Sequence, residues 1–121
     1  MRLAAFVGLG VVAVALTACG SSYGPGGGGC SPSASQVCMI SSTFSPVTRT
    51  VSAGTTVQWV NGDGITHTVT SDPSSSETFN TSVGGGGTFS HQFSTAGTYN
   101  YHCTLHGGVG SGMHGTITVT P

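Results

Sequence analysis

Between Gly97 and Pro121 the chain reads GTYNYHCTLHGGVGSGMHGTITVTP, a run holding one cysteine, three histidines and one methionine. Thiolate and thioether are soft donors that suit a reduced transition metal, while imidazole suits both the reduced and the oxidised ion. Cys103 and His106 stand at Cys-x-x-His spacing, Met113 follows downstream, and His114 is beside it. A further donor is available upstream, where His67 is framed by apolar positions in ITHTV after the turn NGDG. Two imidazoles and a thiolate in a near-trigonal plane, with a weak axial thioether, make a blue-copper centre. Such a metal would also keep the Cys103 thiol deprotonated. Structural zinc sites take four Cys or His ligands, so the methionine argues for copper. Taken singly, each residue has a plainer reading: one His on a half-buried strand is most often just hydrogen-bonded, and one Met is most often core. His91, His102 and His114 are read that way, as polar-face residues without metal. His67, Cys103, His106 and Met113 are read together as one site for one copper ion.

These side chains need a rigid frame, and the frame has a period of two. TTVQWVN (residues 55–61) puts Val57 and Trp59 on one face, and ITHTVTS (65–71) follows the glycine turn. GTFSHQF (87–93) groups Phe89, His91 and Phe93, and GTITVT (115–120) groups Ile117 and Val119. GTYNYHC (97–103) puts Tyr99, Tyr101 and Cys103 on one side and Asn100 and His102 on the other. Thr, Val and aromatic residues fill these runs, and Gly, Asn, Asp, Ser and Pro separate them. Short alternating strands over about a hundred residues predict an all-β, antiparallel β-sandwich. Residues 74–82 are the least patterned and could hold a short helix or an irregular strand. Trp59 is read as core.

The first residues have a different character. Met1-Arg2 gives one positive charge, and Leu3 to Leu16 is apolar or small throughout. That is the layout of an export signal, too short to span a bilayer as a stable helix. Leu16-Thr17-Ala18-Cys19 resembles the bacterial lipobox, in which the cysteine becomes the lipidated first residue. The expected organisation is a signal peptide over 1–18, a lipidated Gly-rich tether over 19–29, and one folded domain over 30–121. The tether sequence GSSYGPGGGG cannot build a core.

Export places the remaining cysteines in an oxidising compartment. Cys30 and Cys38, in CSPSASQVC, are read as a disulfide, which leaves Cys103 unpaired. Pairings of Cys103 with either of the other two remain open from sequence alone. Charge is scarce: Arg2 and Arg49 face Asp63, Asp72 and Glu77. With no basic patch there is no nucleic-acid partner, and any docking surface must be mostly neutral and apolar.

From about Phe44 to Val119 the chain resembles the plastocyanin-like cupredoxins. FSPVTRTVSAGTTVQWVNGDGITHTV is similar to that family's approach to its first histidine ligand. FSTAGTYNYHCTLH and GMHGTITV are similar to its segment of cysteine, second histidine and methionine. The resemblance implies an eight-stranded Greek-key sandwich, a single type 1 copper and an electron-carrier role. By position it matches His67, Cys103, His106 and Met113 to the four ligands. It matches Thr68 to a position whose polar group braces the cysteine loop. The chain departs from the family between His106 and Met113, where GGVGSG is longer than the usual plastocyanin loop and reads as very flexible. Met113 remains in register with the last strand, and His114 is its competitor for the axial place.

The function expected is one-electron transfer between a redox donor and an acceptor that dock near His106, against a neutral patch of Ile65, Leu105 and Val109. The protein is expected as a monomer outside the cytoplasm, on the periplasmic or cell-surface side of a bacterial membrane, held by lipid at Cys19. The alternative is copper binding, storage or delivery. In copper nitrite reductases a histidine directly before the cysteine binds a second copper, and His102 precedes Cys103. Only His91 and His114 are left to complete such a site, so no enzyme is expected. A domain that has lost its metal is the weakest reading, since all four ligand types are present.

Overall fold

The computed structural model describes residues 30–121. The expected signal peptide, the tether and Cys19 lie outside the described residues. Among the described residues, nine strands form two sheets: β1 (Gln36–Ile40), β2 (Thr43–Ser45), β3 (Thr48–Ser52), β4 (Thr55–Asn61), β5 (His67–Ser71), β6 (Asn80–Val83), β7 (Thr88–Phe93), β8 (Gly97–Gly108) and β9 (Ser111–Thr120). One sheet has the order β2-β1-β4-β7 and the other β3-β9-β8-β5-β6. The chain changes sheet after β2, β3, β4, β6 and β7, as in a Greek-key sandwich. Two pairings, β1 with β4 and β3 with β9, are parallel. Parallel neighbours need a long connection, and here the chain supplies it by passing through the opposite sheet. Alternation in sequence reports which face a residue takes, not the direction of its neighbour. Residues 74–82 hold no helix; a turn leads into β6, which pairs antiparallel with β5.

The alternation is realised as burial. Val57, Trp59 and Asn61 of β4, Tyr99, Tyr101 and Cys103 of β8, and Met113, Ile117 and Val119 of β9 all point inward. Trp59 is the centre of the core, stacked on Phe89 at 5.5 Å and met edge-on by Tyr101 at 5.4 Å. Tyr101 lies across Gly115, its direct partner on β9; a Cβ there would stand 2.6 Å from the phenol ring. Only glycine leaves that space.

Cys30 and Cys38 are joined by a disulfide across a sequence separation of 8. Val37 and Met39 face the core, and Cys38 between them is buried from the other side. The cross-link ties the first described residue to a strand inside its sheet. Closing so short a loop stabilises by about 2–3 kcal/mol through the unfolded chain.

Candidate metal centre

The site is made by a break in one strand pairing. His102 of β8 faces His114 of β9, and Gly107 faces Gly112. Cys103, Thr104, Leu105 and His106 therefore stand opposite Met113 alone. The surplus residues bulge out of the ladder and turn Cys103 and His106 toward the same end of the sandwich. The close crossing after the bulge needs glycine on both strands. A Cβ at Gly107 would lie 2.5 Å from the Met113 nitrogen, and one at Gly112 would lie 2.7 Å from the His106 carbonyl.

Beyond the bulge, GGVGSG is not a loose loop. β8 runs on to Gly108, Ser111 pairs with it, and Val109-Gly110 make a tight hairpin turn with Gly110 at φ +66°. The composition suggested flexibility, but cross-strand hydrogen bonding holds these glycines in a ladder.

The third donor arrives from β5. His67 is its first residue and is fully buried. Its Nδ1 lies 3.1 Å from Nδ1 of His106 and 3.9 Å from Sγ of Cys103, and the His106 nitrogen is 3.5 Å from that sulfur. A point equidistant from these three atoms is about 2 Å from each, the length of a bond from a metal ion to imidazole. The triangle therefore fits a trigonally held ion. Among the described residues, no other group of three His, Cys, Asp or Glu side chains converges in this way. Met113 is buried on the same face of β9 as the rest of the core, while half-buried His114 points to the other face and bonds the Gly112 carbonyl at 3.0 Å.

The cysteine is braced from β5. The Thr68 N–H points at Sγ of Cys103 from 3.3 Å, and the Thr68 hydroxyl accepts the Thr104 N–H at 2.8 Å. Thr70 donates to that same hydroxyl at 3.1 Å. This is the position that the resemblance singled out.

The other histidines are engaged elsewhere. His91 bonds Glu77 at 2.7 Å and His102 bonds Asp72 at 2.5 Å. The third carboxylate, Asp63, bonds Nε2 of His67 at 2.7 Å. Each of the chain's three acidic side chains is therefore paired with a histidine. Burial would push the Asp63 carboxyl up, but N–H bonds from Ser42 and Ser41 and the contact with His67 outweigh it and hold it below its ordinary value. Sequence reading saw NGDG only as a turn. The four-residue step from Asp63 to His67, in a chain with so few acids, was the available signal.

The profile of the family described as copper binding proteins, plastocyanin/azurin family, matches residues 36–120. A plastocyanin of Scenedesmus fuscus is 41% identical over 85 residues, which are 63% of this chain and 85% of that protein. Among solved structures, a purple cupredoxin from Nitrosopumilus maritimus superposes with a TM-score of 0.60 at 26% identity, covering 71% of this chain and 99% of the other. A copper-containing nitrite reductase from Thermus scotoductus superposes with a TM-score of 0.65 at 27% identity, covering 76% of this chain but 23% of the enzyme. The profile takes in all nine strands and every residue of the triangle; the chain belongs to the plastocyanin/azurin family of copper-binding proteins, and its His-Cys-His cluster is a type 1 copper site.

Proposed function

We propose that the protein carries single electrons between a donor and an acceptor outside the cytoplasm. His67, Cys103 and His106 would hold the copper in this reading, with Met113 as a further, weaker ligand. When bound, copper supplies a one-electron couple between its Cu(II) and Cu(I) states. The observation that carries the reading is the asymmetry of the triangle. His67 and Cys103 are fully buried, whereas His106 is exposed. The imidazole of His106 therefore leads from the buried donors to the surface. Leu105 beside it in sequence, Val109 three residues on, and Ile65 two residues before His67 are 59%, 62% and 50% exposed. Exposed apolar side chains mark contact sites where they cluster, and these three carry no charge to demand a charged partner. Thr68 holds the thiolate by its N–H and the following residue by its hydroxyl. Side chains held this way would move little between redox states, which lowers the cost of each transfer.

No catalytic second metal site is part of the reading. His91, His102 and His114 each have a separate partner. The nitrite reductase match covers less than a quarter of that enzyme. The N-terminal segment fits a lipid anchor at Cys19, with the tether letting the domain reach its partners.

The test is the visible spectrum of the protein after copper(II) is added, and again after ascorbate. The expected result is an intense thiolate-to-copper band that bleaches on reduction. Bound copper without that band would mean no Cys103 bond, and copper storage or delivery would become the better reading.

A further inference from the structure

Asp63 does more than end a turn. Its Oδ2 meets Nε2 of His67 at 2.7 Å; the His67 side chain is wholly buried, and that of Asp63 is 17% exposed. The carboxylate is itself held from several directions. Oδ1 accepts the Ser41 N–H at 2.7 Å and Oδ2 the Ser42 N–H at 2.9 Å. The Asp63 N–H donates to Oδ1 of Asn61 at 2.9 Å, and buried Asn61 donates in turn to the carbonyls of Ile65 and Val83 at 2.8 Å. The backbone of Gly85 closes on the same loop, where a Cβ would come within 2.9 Å of the Asp63 carbonyl.

The two serines are the central residues of the two-residue hairpin between β1 and β2. Ser41 and Ser42 both have positive φ, 52° and 54°. Both angles are those that a two-residue hairpin turn requires, with Ile40 paired to Thr43 on either side of it. In that turn two successive N–H groups meet one carboxylate. The β1–β2 hairpin thus holds the Asp63 carboxylate behind a buried histidine.

We propose that Asp63 is a positioning residue for the copper centre: its carboxylate accepts a hydrogen bond from Nε2–H of His67, which leaves Nδ1 free to face the metal, and places a negative charge that favours the oxidised ion. A carboxylate behind a metal-bound imidazole fixes its tautomer and raises its basicity. Cu(II) carries one more positive charge than Cu(I), so both effects stabilise Cu(II) and lower the reduction potential. This inference rests on the copper-carrier reading given above.

The experiment is a redox titration of the copper-loaded full chain beside Asp63→Asn and Glu77→Gln. Glu77→Gln removes the same unit of charge at the His91 pair and controls for net charge. Asp63→Asn is expected to shift the ratio of Cu(II) to Cu(I) affinity about tenfold toward Cu(I), a rise of about 59 mV for one electron. Glu77→Gln is expected to leave the potential nearly unchanged. Equal potentials for wild type and Asp63→Asn, or equal shifts in both variants, overturn the inference. The Cu(I)-loaded wild type supplies a measurement that needs no variant. Nitrogen-15 correlation of His67 should show Nε2 protonated and its proton slow to exchange; an unprotonated Nε2 or a freely exchanging proton overturns the inference as well. A wild type with no thiolate-to-copper band defeats the copper-carrier reading itself, and this inference with it.

Discussion

The hydroxyl of Thr68 accepts the N–H of Thr104 at 2.8 Å, across the gap between β5 and the bulge in β8. The two residues flank the ligands His67 and Cys103 in sequence, so one short bond sets the spacing of both. Thr68→Val keeps the side-chain shape and removes the acceptor. The Thr104 N–H loses its partner, at about 1–2 kcal/mol of stability. Copper is expected to bind still, since the Thr68 N–H remains at Cys103. The urea midpoint, with the thiolate band followed in parallel, checks both statements.

The axial position can be tested by substitution. Met113→Gln replaces a thioether with an amide oxygen, a harder donor that favours Cu(II). The expected outcome is a lower reduction potential and a changed ratio of blue to violet absorption. His114→Ala should leave both nearly unaltered, because that side chain lies on the opposite face of β9. The reverse pattern would assign the axial place to His114.

Docking and metal binding should separate at Val109. It sits at the tip of the β8–β9 hairpin, exposed and outside the triangle. Val109→Asp places a charge in an apolar patch, where it must be desolvated on association. Electron exchange with a physiological partner should slow about tenfold or more, as for a polar group buried unpaired. The copper spectrum and the potential should stay as they were. Stopped-flow mixing with the partner reads the first and spectroelectrochemistry the second.

Gly115 is a packing test independent of copper. A Cβ there would sit 2.6 Å from the Tyr101 ring, which is itself fully buried and cannot swing aside. Gly115→Ala is expected to destabilise the metal-free protein by about 1–3 kcal/mol, the range for overpacked cores. A denaturant midpoint equal to wild type would show that the ring has room to move.

Tyr101 also predicts an alkaline limit. Burial pushes its phenol well above the ordinary value, against smaller lowering effects of Trp59 and Arg49. The folded value is raised above the unfolded one, so the contribution is complete below about pH 10 and is lost as pH climbs past it. The chain should lose stability steadily above that pH, with phenolate absorption of Tyr101 appearing only on unfolding. Tyr101→Phe should remove that part of the decline.

Much of this molecule is written in local pattern. Alternation alone assigned Trp59, Tyr99, Tyr101, Cys103, Ile117 and Val119 to one side of their strands, because successive side chains on a strand must face opposite ways. Donor chemistry alone drew His67, Cys103, His106 and Met113 out of the background, because few metals want thiolate, imidazole and thioether together. Neither pattern carries information about which strand lies beside which. The parallel pairings of β1 with β4 and β3 with β9 follow from how the chain crosses between sheets. The glycine-rich segment after His106 looked free by composition, yet pairing makes it a hairpin. Four residues of β8 facing Met113 alone is a matter of register, which only the two strands together define. The step from Asp63 to His67 stands in the sequence, but the hold of the Ser41–Ser42 turn on that carboxylate does not. The donors were legible in the sequence because their chemistry is intrinsic to each side chain. Their geometry and their supports belong to the tertiary structure, because contacts between residues distant in the chain set both.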